Sequence, residues 1–321
     1  MRYLITGIAG FAGRNLVQRL AGDGHEVFGT TRGLQAGRER EYPSCALPQP
    51  DHLFVVGLSE TARLSAIVRD VRPDGLFHLA AFTSPSASFA DPAEAYRANL
   101  HGSLNVFGAV RAADVGCRIV WVGSSDVYGQ VNENELPVTE HQLLRPLSPY
   151  AVSKAAADLA AYQWSRAHGL DIVRLRPFNH TGPGQDPQFV CSDFVRQVVL
   201  VEKGQAPPRI EVGNLEVTRD FSDVRDIVAA YALACHRGEA GEAYNVCSGI
   251  PRTMREVLET VIRLSGVEAE IAVQPQRQRR IDVHRLVGSA NKLRTATGWA
   301  PAIAWEQTLC DLVDDWRQRL R

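Results

Sequence analysis

The sequence predicts an α/β fold: a doubly wound parallel sheet with a smaller C-terminal lobe. Three observations predict it. Short apolar runs alternate with helical patterns as far as Arg176. The stretch LITGIAGFAGRNL, Leu4 to Leu16, sets three glycines three apart between a strand-like and a helix-like segment. After Pro177 the alternation breaks into loops and shorter elements. Strand, helix and strand in repetition imply parallel pairing with right-handed crossovers. A length of 321 residues suits one α/β unit carrying an appended lobe.

The elements follow in order. Tyr3–Thr6 is a short apolar strand, and Gly13–Ala21 a helix with Leu16, Val17 and Leu20 on one face. Further strands are expected at Glu26–Thr30, Leu53–Val56, Gly75–Ala80, Arg118–Val122 and Asp171–Arg176. Between them, Glu60–Val71 repeats Leu64, Ile67, Val68 and Val71 at helical spacing. Arg32–Asp51 is polar, Pro-bearing and weakly periodic, and reads as loop. Asn99–Ala112 and Tyr150–His168 are alanine-rich, apolar helices. Phe221–His236 looks helical, and Ala243–Val246 is expected to return as an edge strand. The division expected is residues 1–176 plus 221–248 for the sheet domain. Residues 177–220 plus 249–321 then form the second lobe, built from two insertions.

Composition excludes several classes. Hydrophobic residues make up 45% and charged residues 22%, as in a packed globular protein. A net charge of −1 argues against non-specific binding to nucleic acid or an anionic membrane. No apolar run reaches the ~18 residues of a membrane span, and the first residues lack a signal-peptide pattern. The six cysteines, at 45, 117, 191, 235, 247 and 310, are scattered with no CxxC. Neither a metal site nor a disulfide framework is expected, and a cytoplasmic protein is.

The glycines point to a dinucleotide. Gly7 permits a tight turn, Gly10 lets a pyrophosphate approach bare backbone, and Gly13 lets the helix pack closely on the strand. The helix N-terminus then faces the phosphates. The spacing is GxxGxxG rather than GxGxxG, and a turn serving packing alone is the alternative. The second strand ends VFGTTRG, Val27 to Gly33, with no acid to bind the adenosine ribose of NAD. Arg32 suits a 2′-phosphate, with Arg38 and Arg40 assisting, so NADP is favoured and NADH left open. The alternative for Arg32 is a solvated loop residue.

SPYAVSK, Ser148 to Lys154, supplies chemistry. Ser148 is a good N-cap and Pro149 a good first helical residue. Tyr150 and Lys154 fall one turn apart on the same face. An unperturbed phenol titrates near ~10, and the ammonium is expected to lower that value. VWVGSSDVYG, Val120 to Gly129, puts Ser124 and Ser125 at the C-terminal end of a parallel strand, where such sheets bind ligands. Serine, tyrosine and lysine around a nicotinamide make a carbonyl-reduction site.

The glycine pattern, HLAA (His78–Ala81), SSDVYG, YxxxK and RPFNHTGPG occur in this order over essentially the whole chain. So ordered, they resemble the extended short-chain dehydrogenase/reductases. RPFNHTGPGQ (Arg176–Gln185) and GNLEVTRDFSDVRD (Gly213–Asp226) look most like the GDP-6-deoxy-D-mannose reductases within that group. The resemblance implies a Rossmann-type fold, a substrate-binding second lobe, and reduction by NADPH of the C4 ketone of GDP-4-dehydro-6-deoxy-D-mannose to GDP-D-rhamnose. It makes Tyr150 the general acid and Ser124 the hydrogen-bond donor to the C4 oxygen, with Ser125 the near alternative. Lys154 holds the nicotinamide ribose and tunes Tyr150. Phe11, Ala12, Leu58, Leu79, Ala80 and Ala81 line the cofactor. Thr83, Ser125, Asp126, Asn179, Arg219, Arg279 and Asp282 contact the sugar nucleotide, although Arg277 and Arg280 crowd Arg279. Asn99 is structural.

Asp126 stands where related dehydratases carry a glutamate that acts as base at C5. It is one methylene shorter, and a base must come within hydrogen-bond reach, so hydride transfer is favoured over elimination. The alternatives are a nucleotide-sugar 4-epimerase or 4,6-dehydratase, and a non-catalytic NADP-binding regulator. The second is disfavoured because Tyr150 and Lys154 are both intact. Relatives pair through two helices of each chain, so a homodimer held by a four-helix bundle of Asn99–Ala112 and Tyr150–His168 is expected. Packing of those helices into the core is the alternative.

Overall fold

The computed structural model describes residues 1–33, 52–277 and 283–321. Six strands lie before Phe178: β1 (Arg2–Thr6), β2 (Glu26–Thr31), β3 (Leu53–Val55), β4 (Gly75–His78), β5 (Arg118–Val122) and β6 (Ile172–Pro177). β1 is apolar on both faces, as a helix-covered parallel strand requires: Tyr3, Leu4 and Ile5 are all buried. With β10 (Ala243–Val246) they form one seven-stranded sheet, ordered β10-β6-β5-β4-β1-β2-β3. Every pair in it is parallel. This is the doubly wound, Rossmann-type order, reversing between β1 and β4, with β10 at the edge where the sequence placed it.

Helices α1 (Phe11–Gly22), α2 (Thr61–Val71), α3 (Pro92–Tyr96), α4 (Gly102–Ala113) and α5 (Pro149–His168) intervene. Residues Arg97–His101 form a π turn joining α3 to α4, so the helix expected at Asn99–Ala112 is one half of a longer kinked rod. One core cluster packs α1 and α7 (Val224–Arg237) against the sheet; another packs α2, α4 and α5 on the opposite face.

The remaining chain is more regular than its sequence suggested. β7 (Asn179–Thr181), β9 (Thr218–Asp223), β11 (Pro251–Thr253) and β13 (Arg285–Leu286) make a small sheet centred on β9. β8 (Arg209–Val212) pairs with β12 (Glu270–Val273). A third core cluster joins these to α6 (Val190–Glu202), α8 (Met254–Ser265) and α10 (Trp305–Arg319); α9 is Asn291–Thr297. The helix expected from Phe221 is a correction: Thr218–Asp223 is a buried strand, and the helix begins at Val224, capped by Asp223. The loop expected at Arg32–Asp51 lies outside the described residues from residue 34 on. Among the described residues, no helix is long and apolar enough to cross a membrane.

Candidate active site

A cleft of about 1320 Å³ runs along the C-terminal ends of β1, β2, β4, β5 and β6 and under the small sheet. That exceeds the ~300–1,000 Å³ of a site for one small ligand and leaves room for two.

The glycine turn forms its floor. Gly7 has φ +72°, and a Cβ there would meet Ala80 backbone at 2.7 Å. A Cβ on Gly13 would lie 2.6 Å from the carbonyl oxygens of Gly7 and Ile8. These two are glycines for turn and packing. Gly10, by contrast, is exposed, and it is the N-cap of α1 with no side chain to occupy the first-turn N–H groups. Bare donors at a helix N-terminus on a cleft fit a pyrophosphate. Phe11, Ala12, Leu58, Leu79, Ala80 and Ala81 line the same cleft. Arg32 does too, its side chain 82% exposed and 4.0 Å from Glu94. Arg38 and Arg40 lie outside the described residues.

Tyr150 and Lys154 sit on the first turns of α5. Ser148 caps that helix, its hydroxyl accepting from the Ala151 N–H at 3.1 Å, with Pro149 next. Ser88 adds a second cap, accepting the Tyr150 N–H at 3.1 Å. Ser124 follows the end of β5 by two residues and caps the short turn Ser125–Tyr128, accepting the Asp126 N–H at 3.1 Å. Tyr150 and Ser124 are hydrogen-bonded to each other.

The electrostatics correct one expectation. Lys154 is not what governs Tyr150. Burial, then the Asp126 carboxylate, push the phenol above its ordinary value, and the Ser124 hydrogen bond opposes them. Tyr150 is therefore a protonated phenol. Lys154 is itself buried, which lowers it from 10.5 to about 8. Its ammonium donates to the Val122 carbonyl at 2.8 Å, leaving further N–H groups for a ligand in the cleft.

A buried polar network supports this helix. The Asn99 amide donates to Ser153 Oγ at 2.9 Å and accepts the Phe82 N–H at 2.8 Å; Ser153 donates to the Tyr150 carbonyl at 2.7 Å. Asn99 is thus structural, as expected. Ser103 donates to the Asn99 carbonyl and lies 3.2 Å from His78 Nε2 and 3.0 Å from Trp121 Nε1. Ser103 therefore accepts from both rings, which fixes the proton of His78 on Nε2. Burial, chiefly, and Lys154 drop His78 to about 3, so it is neutral.

Thr83, Ser125, Asp126, Asn179 and Arg219 all line the cleft. Asn179 opens β7, two residues after β6 ends, and so bridges the two sheets. One Arg219 nitrogen donates to the carbonyls of Thr218 and Val283, at 2.9 and 2.6 Å. Arg277 also reaches the cleft, paired with Asp193 at 2.7 Å. Arg279, Arg280 and Asp282 lie outside the described residues. The acids of TRDFSDVRD hold the architecture. Asp220 accepts the N–H groups of Ser248, Gly249 and Gly288, and Asp226 those of Ala302 and Ile303.

Sequence reasoning passed over two cleft residues. His180 lies inside the quoted RPFNHTGPG motif. It donates from Nδ1 to the Phe178 carbonyl at 3.0 Å, and its ring is parallel to that of Phe11 within 6° at 6.1 Å. Tyr231, on α7, lines the cleft with no exposed surface. In sequence it is indistinguishable from an ordinary core aromatic.

The profile of a family described as GDP-mannose 4,6 dehydratase matches residues 4–312. The chain is 38% identical over 320 residues to a GDP-6-deoxy-D-mannose reductase of Pseudomonas aeruginosa, covering 100% of this chain and 98% of that one. Two solved structures are similar. RMD from Pseudomonas aeruginosa complexed with NADPH gives a TM-score of 0.85 at 37% identity, covering 99% of each chain. UDP-glucose 4-epimerase from Thermus thermophilus complexed with NAD gives 0.86 at 33%, again over 99% of each.

Proposed function

This chain belongs to the GDP-mannose 4,6 dehydratase family, and from that premise we propose that it is an NADPH-dependent oxidoreductase that reduces GDP-4-dehydro-6-deoxy-D-mannose to GDP-D-rhamnose. The observation that carries this reading is the full-length 38% identity to a GDP-6-deoxy-D-mannose reductase together with Ser124, Tyr150 and Lys154 gathered on one cleft, and burial of Tyr150, which raises its phenol, agrees with it. A reductase begins with a neutral phenol that gives a proton away. An epimerase or dehydratase begins by taking a proton from a sugar hydroxyl, which needs a phenolate. Burial and the Asp126 carboxylate favour the first state.

When bound, the reduced nicotinamide supplies a hydride to the sugar C4. The chain does the rest. Ser124 donates to the ketone oxygen and Tyr150 transfers its phenolic proton to the oxygen as charge develops there. The Lys154 ammonium offsets the phenolate left behind and holds the nicotinamide ribose. The bare N–H groups after Gly10 and the exposed Arg32 take the pyrophosphate and the 2′-phosphate. Arg219, and Arg279 beyond the described residues, suit the sugar-nucleotide diphosphate by their planar forks. Asn179, Thr83 and Ser125 orient the sugar, and Asp282 accepts from the ribose. The NADPH complex of the 37%-identical structure supports NADPH as donor, and NADH is the weaker alternative.

The sheet domain (1–176, 221–248) carries the cofactor and the second lobe (177–220, 249–321) the substrate. We place the protein in the cytoplasm as a homodimer formed by α4 and α5. Val152, Leu159 and Tyr162 are exposed along α5 and suit that contact. Asp126, one methylene short of the dehydratase base, argues against elimination. The test is incubation with NADPH and a panel of nucleotide-linked 4-keto sugars, following near-ultraviolet absorbance. The GDP-linked 4-keto-6-deoxy sugar should consume NADPH one for one. Turnover without cofactor loss would mean an epimerase or dehydratase.

A further inference from the structure

Buried phenols in this fold are paired, with one exception. Tyr128 donates to Asn245 at 2.6 Å and accepts from Arg176 at 3.0 Å. Tyr3 lies 3.0 Å from His236 Nε2, and the Tyr244 hydroxyl accepts the Glu239 N–H at 3.0 Å. Tyr231 is as deeply buried as these as a residue, yet among the described residues no hydrogen bond joins its hydroxyl to the protein. A phenol that the protein leaves without a partner keeps its donor for whatever lies beside it. Tyr231 borders the cleft, so a ligand there can supply what the protein does not.

Its position selects the ligand. Helix α7 packs against α1, whose first turn faces the pyrophosphate, and against β5 and β6, whose ends carry Ser124 and Pro177. Tyr231 thus reaches the cleft from the cofactor side, in the neighbourhood of Tyr150. Arg219 and Asn179 enter from the small sheet. Burial keeps the Tyr231 phenol protonated, hence a donor. Beside the reacting ring of a nicotinamide dinucleotide, the polar acceptor is its carboxamide.

We propose that Tyr231 donates a hydrogen bond to the carboxamide oxygen of the bound nicotinamide and so fixes the rotation of the ring in front of Tyr150. This rests on the dinucleotide reading of the cleft. Tyr231 is a cofactor-positioning residue, and its removal lowers affinity for the nicotinamide half alone.

Calorimetric titration of wild type and Tyr231→Phe with NADPH and with adenosine 2′,5′-bisphosphate, which lacks the nicotinamide, tests this. The variant should bind NADPH about five- to tenfold more weakly and the bisphosphate unchanged. A dinucleotide analogue whose ring lacks the carboxamide should bind wild type and variant alike. Equal NADPH affinity in both proteins overturns the inference and leaves the dinucleotide reading standing. Equal weakening of NADPH and bisphosphate also overturns it, because the loss is then general. A raised KM for the sugar nucleotide with unchanged NADPH affinity assigns the hydroxyl to the substrate, against the proposal. Wild type that binds neither nucleotide overturns both readings.

Discussion

At the scale of residues, one phenol and its surroundings set the chemistry. Tyr150→Phe removes the transferable proton and the hydrogen bond to Ser124 while keeping the ring. Turnover should fall about a thousandfold or more while NADPH affinity, read by titration, changes less than threefold. Lys154 couples function to stability. Its folded value, about 8, lies below the ordinary 10.5, so between these values the unfolded chain binds more protons. Stability therefore rises with pH across that window, and below it the buried ammonium costs on the order of 3 kcal/mol. Lys154→Met should stabilise the ligand-free protein to urea at neutral pH, with the gain shrinking toward pH 10.5, and should abolish turnover. Residue types and spacings singled out Ser124, Tyr150 and Lys154 in sequence, and the fold places all three on one cleft. The order of forces on Tyr150 was not legible. It depends on how deeply the fold buries the ring and on how near Asp126 comes, and both are tertiary facts.

At the scale of elements, α5 is held in register by a buried ion cluster. Asp158, one turn past Lys154, receives two hydrogen bonds from Arg176, at 2.9 and 3.0 Å, and a third from Arg174. Both arginines lie inside β6, and both are buried. This explains how a parallel strand reading IVRLRP tolerates two cations. Asp158→Ala leaves two guanidinium groups uncompensated and should destabilise the protein by about 3–5 kcal/mol in chemical denaturation. Asp158→Asn should lose less. The strands of the large sheet were readable from their apolar runs. Thr218–Asp223 was not, because TRDFSD lacks a continuous apolar face and adjoins a true helix. Its Asp220, and Asp226 just beyond it, bind loop N–H groups of residues far along the chain, such as Gly288 and Ala302, which no local pattern announces. Helices α6, α8 and α10 were not singled out although their signals are local: α8 opens with a Thr253/Glu256 capping box and buries Met254, Val257, Leu258 and Val261 at helical spacing.

At the scale of the whole molecule, one cleft collects the glycine turn, the end of β5, the start of α5 and the edge of the small sheet. The size of that cleft suits a dinucleotide and a nucleotide sugar side by side. Order along the chain revealed the nucleotide half, because β1, its glycines and α1 are contiguous. The part of the cleft proposed for the substrate is lined by Asn179, Arg219 and Arg277, which only the fold brings to the same cleft as Thr83 and Ser125. The central claim is that a hydride leaves NADPH for the sugar C4 and stays there. Turnover with NADPH carrying deuterium at the transferable position of nicotinamide C4 tests it most directly, with the product sugar examined by NMR. The account predicts one deuterium at C4 of the GDP-linked 6-deoxy sugar for each NADPH oxidised. Product formed without deuterium at C4, or with NADPH left intact, would contradict it.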